Sequence, residues 1–275
     1  MIFDSESVFE DNVITVLKQH GWKDGVLRYP TEQDLLDNWK GILYRNNNDI
    51  DRLGKYPLTD GEMAQIIEQI ETLRTPLALN SFVNGRTVSI TRDNKEDVAH
   101  FGKEISLYIY DRKEIAGGKS TYQIAQQPVY PAKNKMLNSR RGDLVLLING
   151  MPLIHIELKK SGIPVSQATN QIEKYTHEGV FTGLFRLVQI FVAMTPEETL
   201  YFANPGKEEN FKPEFYFHWE DFNNTVIRDW RRIVSDLLSI PMAHQLIGYY
   251  TIADDKDKTL KVLRSYQYFA ASKIS

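Results

Sequence analysis

The sequence contains no cysteine. That absence excludes a disulfide framework, a thiol nucleophile and any thiolate-held zinc, and it is compatible with a reducing cytoplasm. Histidine is sparse and scattered: His20, His100, His155, His177, His218 and His244 show no ligand-like spacing, so no structural metal site is expected. No apolar run approaches the roughly 18 to 20 residues of a membrane span. The acidic start Met1-Ile2-Phe3-Asp4-Ser5-Glu6 lacks the basic and apolar regions of a signal peptide. Charge of one sign is also missing, with 33 Lys+Arg against 36 Asp+Glu and a net charge of -3. This argues against a protein that coats nucleic acid non-specifically, but leaves room for a local basic groove. What remains is an ordinary globular composition of 275 residues, 42% hydrophobic and 25% charged, enough for one large domain or two smaller ones. No internal repeat and no low-complexity tract is present.

Phe9, Val13, Val16 and Leu17 recur at helical spacing before Gly21, which predicts an amphipathic helix over 7–20. Residues 30–80 are polar with broken helical periodicity and predict a helical insertion. Short β-rich runs begin near Thr87, and strands are expected at 105–110, 143–148, 152–159, 187–194 and 200–202, with a helix over 165–178. The order helix, three strands, helix, strands describes an α/β core. A further amphipathic helix is expected over 223–238, stopped by Pro241, followed by a charged tract that reads as a linker over 241–259.

Chemistry concentrates between Arg140 and Lys160. Asn149-Gly150 between two apolar runs predicts a hairpin. On its second strand, period two places Ile154, Ile156 and Leu158 on one face and His155, Glu157 and Lys159 on the other. Whether Asp143 joins Glu157 is a question of parity: a regular two-residue turn pairs Asp143 with Ile156, on the wrong face. An odd loop or a single bulge restores it to the face of Glu157 and Lys159. Two carboxylates about 5 Å apart repel by roughly 3 kcal/mol at an effective dielectric of 20. A divalent cation removes that cost, and hard oxygen ligands suit Mg²⁺ or Mn²⁺. Lys159 then adds a positive charge beside a phosphate oxygen or orients a water. The competing reading of so short a D…E-x-K pattern is a strand-start cap followed by an ordinary solvent-facing strand.

The run Arg140-Arg141-Gly142-Asp143 to Lys160 resembles the nuclease motif of the PD-(D/E)xK superfamily, in the form carried by the restriction (R) subunit of type I restriction-modification enzymes. The match lies at Asp143, Asn149-Gly150, Pro152, Glu157 and Lys159, and the departure at Gly142, where proline is usual. The resemblance implies an α/β fold with a mixed central sheet flanked by helices. It implies metal-dependent hydrolysis of DNA phosphodiester bonds, with Asp143, Glu157 and Lys159 catalytic. Mg²⁺ or Mn²⁺ would be held by Asp143, Glu157 and the main-chain carbonyl of Leu158. Glu10 stands where the family has a further acidic metal ligand, although Ser7 to Glu10 also reads as a capping box.

Gln171 and Tyr175, four apart on one helical face with Gln167 a turn before them, resemble a Q-x-x-x-Y motif that supports the metal site or the DNA backbone; a polar surface stripe is the alternative. Lys133, Lys135, Arg140 and Arg141 form a basic cluster suited to phosphate contact. Lys261 to Gln267 resembles the adenine-reading motif that opens superfamily 2 helicase motors, so Gln267 is expected to serve ATP in a full-length subunit. By contrast, Ala116 to Thr121 only imitates a phosphate-binding loop, because Lys113 stands where glycine is required. These matches divide the chain into an endonuclease domain (1–240), a linker (241–259) and the start of a motor (260–275). The implied partners are double-stranded DNA and the modification (M) and specificity (S) subunits, in a prokaryotic cytoplasm. The alternative is a non-catalytic module that docks DNA or a partner subunit.

Overall fold

The N-terminal pattern folds as α1 (Glu6–Gln19), which buries Phe9, Val13, Ile14 and Leu17. Its cap is Ser5, whose side chain accepts from the Val8 N–H, so Glu10 is not part of a capping box and is free to face inward. The structure, a computed structural model, describes residues 2–115, 118–131, 140–254, 256 and 259–274. After α1 come β1 (Val26–Arg28), α2 (Glu32–Asn46), α3 (Asp60–Thr72), α4 (Pro76–Asn84), β2 (Thr87–Thr91), β3 (Glu104–Tyr108) and β4 (Tyr122–Gln126). Next are β5 (Leu144–Ile148), β6 (Met151–Leu158), α5 (Val165–His177), β7 (Ile190–Met194) and β8 (Thr199–Ala203). The chain closes with α6 (Trp230–Asp236), α7 (Met242–Gly248), β9 (Thr251–Asp254), β10 (Thr259–Val262) and α8 (Ser265–Ile274).

A six-stranded mixed sheet runs in the order β1-β4-β5-β6-β7-β8. β1 is parallel to β4 and β6 is parallel to β7; the remaining pairs are antiparallel. A parallel pair needs a crossover, and α5 supplies the one from β6 to β7. Val165, Ala168 and Ile172 of α5 pack on Phe191, Ala193 and Phe202. Ile154, Ile156 and Leu158 lie on the other face, in the larger core shared with α1. All eight residues of β6 are buried, so the strand has no solvent face. Its His155, Glu157 and Lys159 face is chemically loaded and enclosed.

Residues 30–80 are helical as expected, and capping boxes at Thr31/Asp34 and Thr59/Glu62 start α2 and α3. A buried ion cluster ties α3 to the β2–β3 hairpin. Arg92 donates from Nη1 to Glu62 (2.6 Å), from Nε to Asp97 (2.9 Å) and from Nη2 to the Tyr56 carbonyl (2.6 Å). Replacing one member of a buried cluster strands its partners' charge. Arg92→Met is therefore expected to destabilise the chain by about 3–5 kcal/mol in urea unfolding.

Two expectations need correction. The helix predicted over 223–238 is confined to Trp230–Asp236. Glu220 bridges Val226, Asn224 takes a positive φ, and the Asp229 side chain caps the shortened helix at Arg231. The segment expected as a linker, 241–259, contains α7 and most of the β9–β10 hairpin, with Met242, Ala243, Leu246 and Ile247 buried in the main core. Its His244 stays buried because Nδ1 faces the Tyr122 hydroxyl (2.9 Å) and Nε2 faces the Asp111 carbonyl (3.0 Å).

Candidate active site

The site is built by the hairpin of β5 and β6. Asn149 and Gly150 both take positive φ and form a two-residue turn that pairs Ile148 with Met151. The Asn149 side chain locks the turn by accepting from Thr121 N and donating to the Ile109 carbonyl. Gly150 is required there twice over, by its φ and because a Cβ would meet Trp39 of α2 at 2.9 Å. The register then shifts by one residue: Leu147 pairs with Pro152, but Leu146 pairs with Ile154, so Leu153 is the extra residue of a β-bulge. Leu144 consequently pairs with Ile156, and Asp143 comes opposite Glu157. The bulge is the parity correction that the shared face of Asp143, Glu157 and Lys159 requires.

The Leu158 N–H donates to Asp143 Oδ2 (2.6 Å). Lys159 Nζ lies 3.1 Å from Glu157 Oε1, 2.9 Å from the Leu158 carbonyl and 3.8 Å from Glu6. Burial, reinforced by the Glu157 charge, raises the Asp143 carboxyl well above the usual carboxylate range; the Leu158 N–H and Lys159 oppose it. Burial likewise raises Glu157 against the pull of Lys159. Among the described residues, Glu157 Oε2 is buried without a hydrogen-bond partner. Two enclosed carboxylates that are costly to charge without a partner, one with an unpaired oxygen, fit a divalent cation. The oxygens that could hold one are those of Asp143, Glu157 and the Leu158 carbonyl.

Glu10 is buried beside this pair but is engaged elsewhere, accepting from Gln126 Nε2 (2.6 Å) and Gln127 Nε2 (3.2 Å). Burial raises its carboxyl, and the Asp143 charge adds to the effect. Among the described residues, no three acidic or histidine side chains converge as a metal group. Gln126 ends β4, a strand the sequence did not show, and Gln127 follows it; neither had a signal in the sequence.

Gln171 and Tyr175 are not a surface stripe. Gln171 donates to the Tyr175 hydroxyl (2.6 Å), which donates to the Arg141 carbonyl (2.8 Å), so α5 fixes the backbone two residues before Asp143. An open polar cleft of about 740 Å³ is lined by Arg140, Arg141, Gln167, Gln171 and Tyr175, together with Asn170 and Lys174, which the sequence did not single out. Arg140 is held in the cleft wall by a two-pronged pair with Glu178 (2.8 and 2.8 Å), and the Arg141 guanidinium stands 5.6 Å over the Tyr29 ring. Lys133 and Lys135 lie outside the described residues. Gln267 lies in a different cleft, between the 211–217 segment and β10, with Arg264 and Phe217. In the phosphate-loop mimic, Ala116 and Gly117 lie outside the described residues; Lys119 N and Ser120 Oγ bind the Glu114 carboxylate instead.

A mixed sheet flanked by helices, with acidic residues paired across the central hairpin and lysine at its end, defines a restriction-endonuclease-like fold. Residues 4–210 match the family described as type I restriction enzyme R protein N terminus, and the chain belongs to that family. The endonuclease subunit of the type I restriction enzyme SauCOLORF180P from Staphylococcus aureus (strain COL) is 30% identical over 272 residues, covering 98% of this chain and 27% of the relative. The SsaAORF53P endonuclease subunit of Staphylococcus saprophyticus is 30% identical over 276 residues, with the same coverages of 98% and 27%. The EcoprrI endonuclease subunit of Escherichia coli is 27% identical over 301 residues, covering 100% of this chain and 91% of the relative. The chain thus spans about a quarter of the length of the staphylococcal relatives. Nucleases of this fold require a divalent metal in general. No helix among the described residues is long and apolar enough to cross a membrane.

Proposed function

We propose that this chain is the endonuclease domain of a type I restriction R subunit and hydrolyses DNA phosphodiester bonds with Mg²⁺, or Mn²⁺ in its place. The observation that carries this reading is the bulge-corrected register, which sets Asp143 opposite Glu157 with Lys159 at the strand end. Asp143, Glu157 and the Leu158 carbonyl would hold a divalent cation, with Glu10 behind them as a further acidic ligand; when bound it would supply neutralisation of the carboxylates and the scissile phosphate and a more acidic water. Lys159, already on Glu157 and the Leu158 carbonyl, places a positive charge against a non-bridging phosphate oxygen. Gln171 and Tyr175 hold the strand entrance, and Arg140, Arg141 and Gln167 line the path of the DNA backbone.

In the full-length protein, cleavage is coupled to ATP-driven translocation. The nuclease takes in residues 1–240 together with the α7 packed into its core, 260–275 open the motor, and Gln267 reads adenine there. The M and S subunits are the partners that supply target recognition, and the compartment is the prokaryotic cytoplasm. Calorimetric titration with Mn²⁺ tests the central claim. Wild type should bind and Asp143→Ala should not; no binding by wild type at millimolar Mn²⁺ favours a docking module without catalysis. The cleft has its own test. Arg141→Ala and Lys174→Ala should each lower duplex affinity evenly across sequences and reduce the slope of log affinity against log salt by about 1.

A further inference from the structure

We infer that Tyr130 and His155 form a buried positioning pair that aims the Glu157 carboxylate, and that Gly142 is the space that admits it. The inference rests on the nuclease reading above. His155 points from β6 into a box of aromatic rings, with Phe181 at 5.6 Å, Phe191 at 6.0 Å and Tyr175 at 6.1 Å between centroids. Among the described residues, two polar groups lie against the imidazole nitrogens. The Tyr130 hydroxyl is 2.8 Å from Nδ1, and Glu157 Oε2 is 3.4 Å from Nε2. Nε2 and Oε2 are both buried, and among the described residues neither has a hydrogen-bond partner: at 3.4 Å they face each other without a well-formed bond.

The proton arrangement follows from what each group can do. A neutral imidazole has one N–H and one acceptor nitrogen, and Glu157 in its ionised form, the form that would hold a cation, only accepts. If Nδ1 carried the proton, the Tyr130 O–H would be left buried without an acceptor, and the Nε2 lone pair would face the lone pairs of Glu157. With the proton on Nε2, Tyr130 donates to Nδ1 and the imidazole donates toward Glu157. The chain of contacts then leaves Glu157 one oriented carboxylate, with Lys159 on Oε1 and His155 on Oε2. A ligand held by a fixed outer partner has a defined orientation and basicity, and loss of such partners commonly weakens metal binding by 10- to 100-fold.

Tyr130 is itself held on several sides. Its N–H donates to the Arg140 carbonyl (2.9 Å), the neighbouring Val129 bridges Arg141, and its ring packs edge-on to Phe185 at 4.6 Å. A Cβ at Gly142 would stand 2.5 Å from the Tyr130 hydroxyl oxygen and 2.9 Å from His155 Cε1. Proline, usual at this place in the resembled motif, would collide with the pair. The departure at Gly142 and the Tyr130–His155 contact are two parts of one arrangement.

Two measurements on the 275-residue chain test this. Long-range ¹⁵N NMR of labelled histidine, without metal, should find His155 with its proton on Nε2 and its Nδ1 as acceptor. A proton on Nδ1 overturns the inference whatever the metal does. Mn²⁺ titration should then show binding weakened about tenfold in Tyr130→Phe and more in His155→Leu, with melting temperature as the folding control. His155→Gln keeps an N–H near Nε2 and should recover most of the affinity. Unchanged Mn²⁺ affinity in Tyr130→Phe and His155→Leu overturns the pair's role while leaving the nuclease reading intact. Failure of wild type to bind Mn²⁺ removes the nuclease reading and this inference together.

Discussion

Lys159→Ala in the full-length protein, reconstituted with its partner subunits, is expected to cut plasmid linearisation by about 10²- to 10³-fold while ATP hydrolysis continues unchanged. Lys159 is 8% exposed, its ammonium is fixed by Glu157 and the Leu158 carbonyl, and nothing else in the hairpin brings a positive charge to the paired carboxylates. Charge developing on phosphate oxygens in a site with little water is stabilised far more by one fixed cation than it would be in solvent. Asp143→Ala and Glu157→Ala should take cleavage below detection, because each removes an oxygen ligand and leaves the other carboxylate in an unmatched site. With adenine read at Gln267, as proposed above, ATP hydrolysis should survive, because Gln267 lies in a separate cleft. Linear plasmid at the wild-type rate from the Asp143 variant would refute the assignment.

Asp143→Asn should make the cation-free chain more stable at neutral pH, by roughly 1–3 kcal/mol, while abolishing cleavage. The amide keeps an oxygen to accept from the Leu158 N–H and removes the repulsion with Glu157. The sign with pH follows from the raised carboxyls of Asp143 and Glu157, which bind more protons folded than unfolded. Stability from these groups is present below the ordinary carboxylate range, roughly pH 4, and is lost as pH rises through their raised folded values. The advantage of Asp143→Asn should therefore be several degrees in melting temperature at neutral pH and vanish in acid. Mn²⁺ should raise the melting temperature of wild type and leave that of the variant unmoved. Equal melting temperatures of the two proteins at neutral pH without metal would contradict the buried-repulsion account.

Much of the fold was legible because it depends on local pattern. The helix at α1, the crossover helix α5 and the strands around the Asn149-Gly150 turn appear within a residue or two of where periodicity puts them. β4 was missed although it pairs with β5 along its full length, because Tyr122 to Gln126 mixes polar and apolar residues and is a strand only through its neighbours. The helix over 223–238 was over-read for the opposite reason: its apolar spacing is real, but Glu220, Asn224 and Asp229 divert the first half. The supposed linker folds as α7 and a hairpin since Met242, Leu246 and Ile247 have a core to enter, which a charged tract nearby conceals.

By itself the sequence determined the chemistry: carboxylates at 143 and 157, lysine at 159, a hairpin between them, no thiol to compete, and the condition that an odd loop or one bulge must intervene. Tertiary structure decided how that condition is met. The turn is regular and the extra residue is Leu153, whose carbonyl accepts from Gln189 beyond the crossover, so the bulge belongs to a contact distant in the chain. It also decided what lies behind the site. A histidine on the predicted face carries no mark of its partner, because the Tyr130 hydroxyl and the hollow at Gly142 become neighbours only when the β-bridge at Val129 and Arg141 closes. Local pattern fixes which residues share a face; only packing fixes which of them are buried, and burial makes paired carboxylates costly to charge without a compensating positive partner.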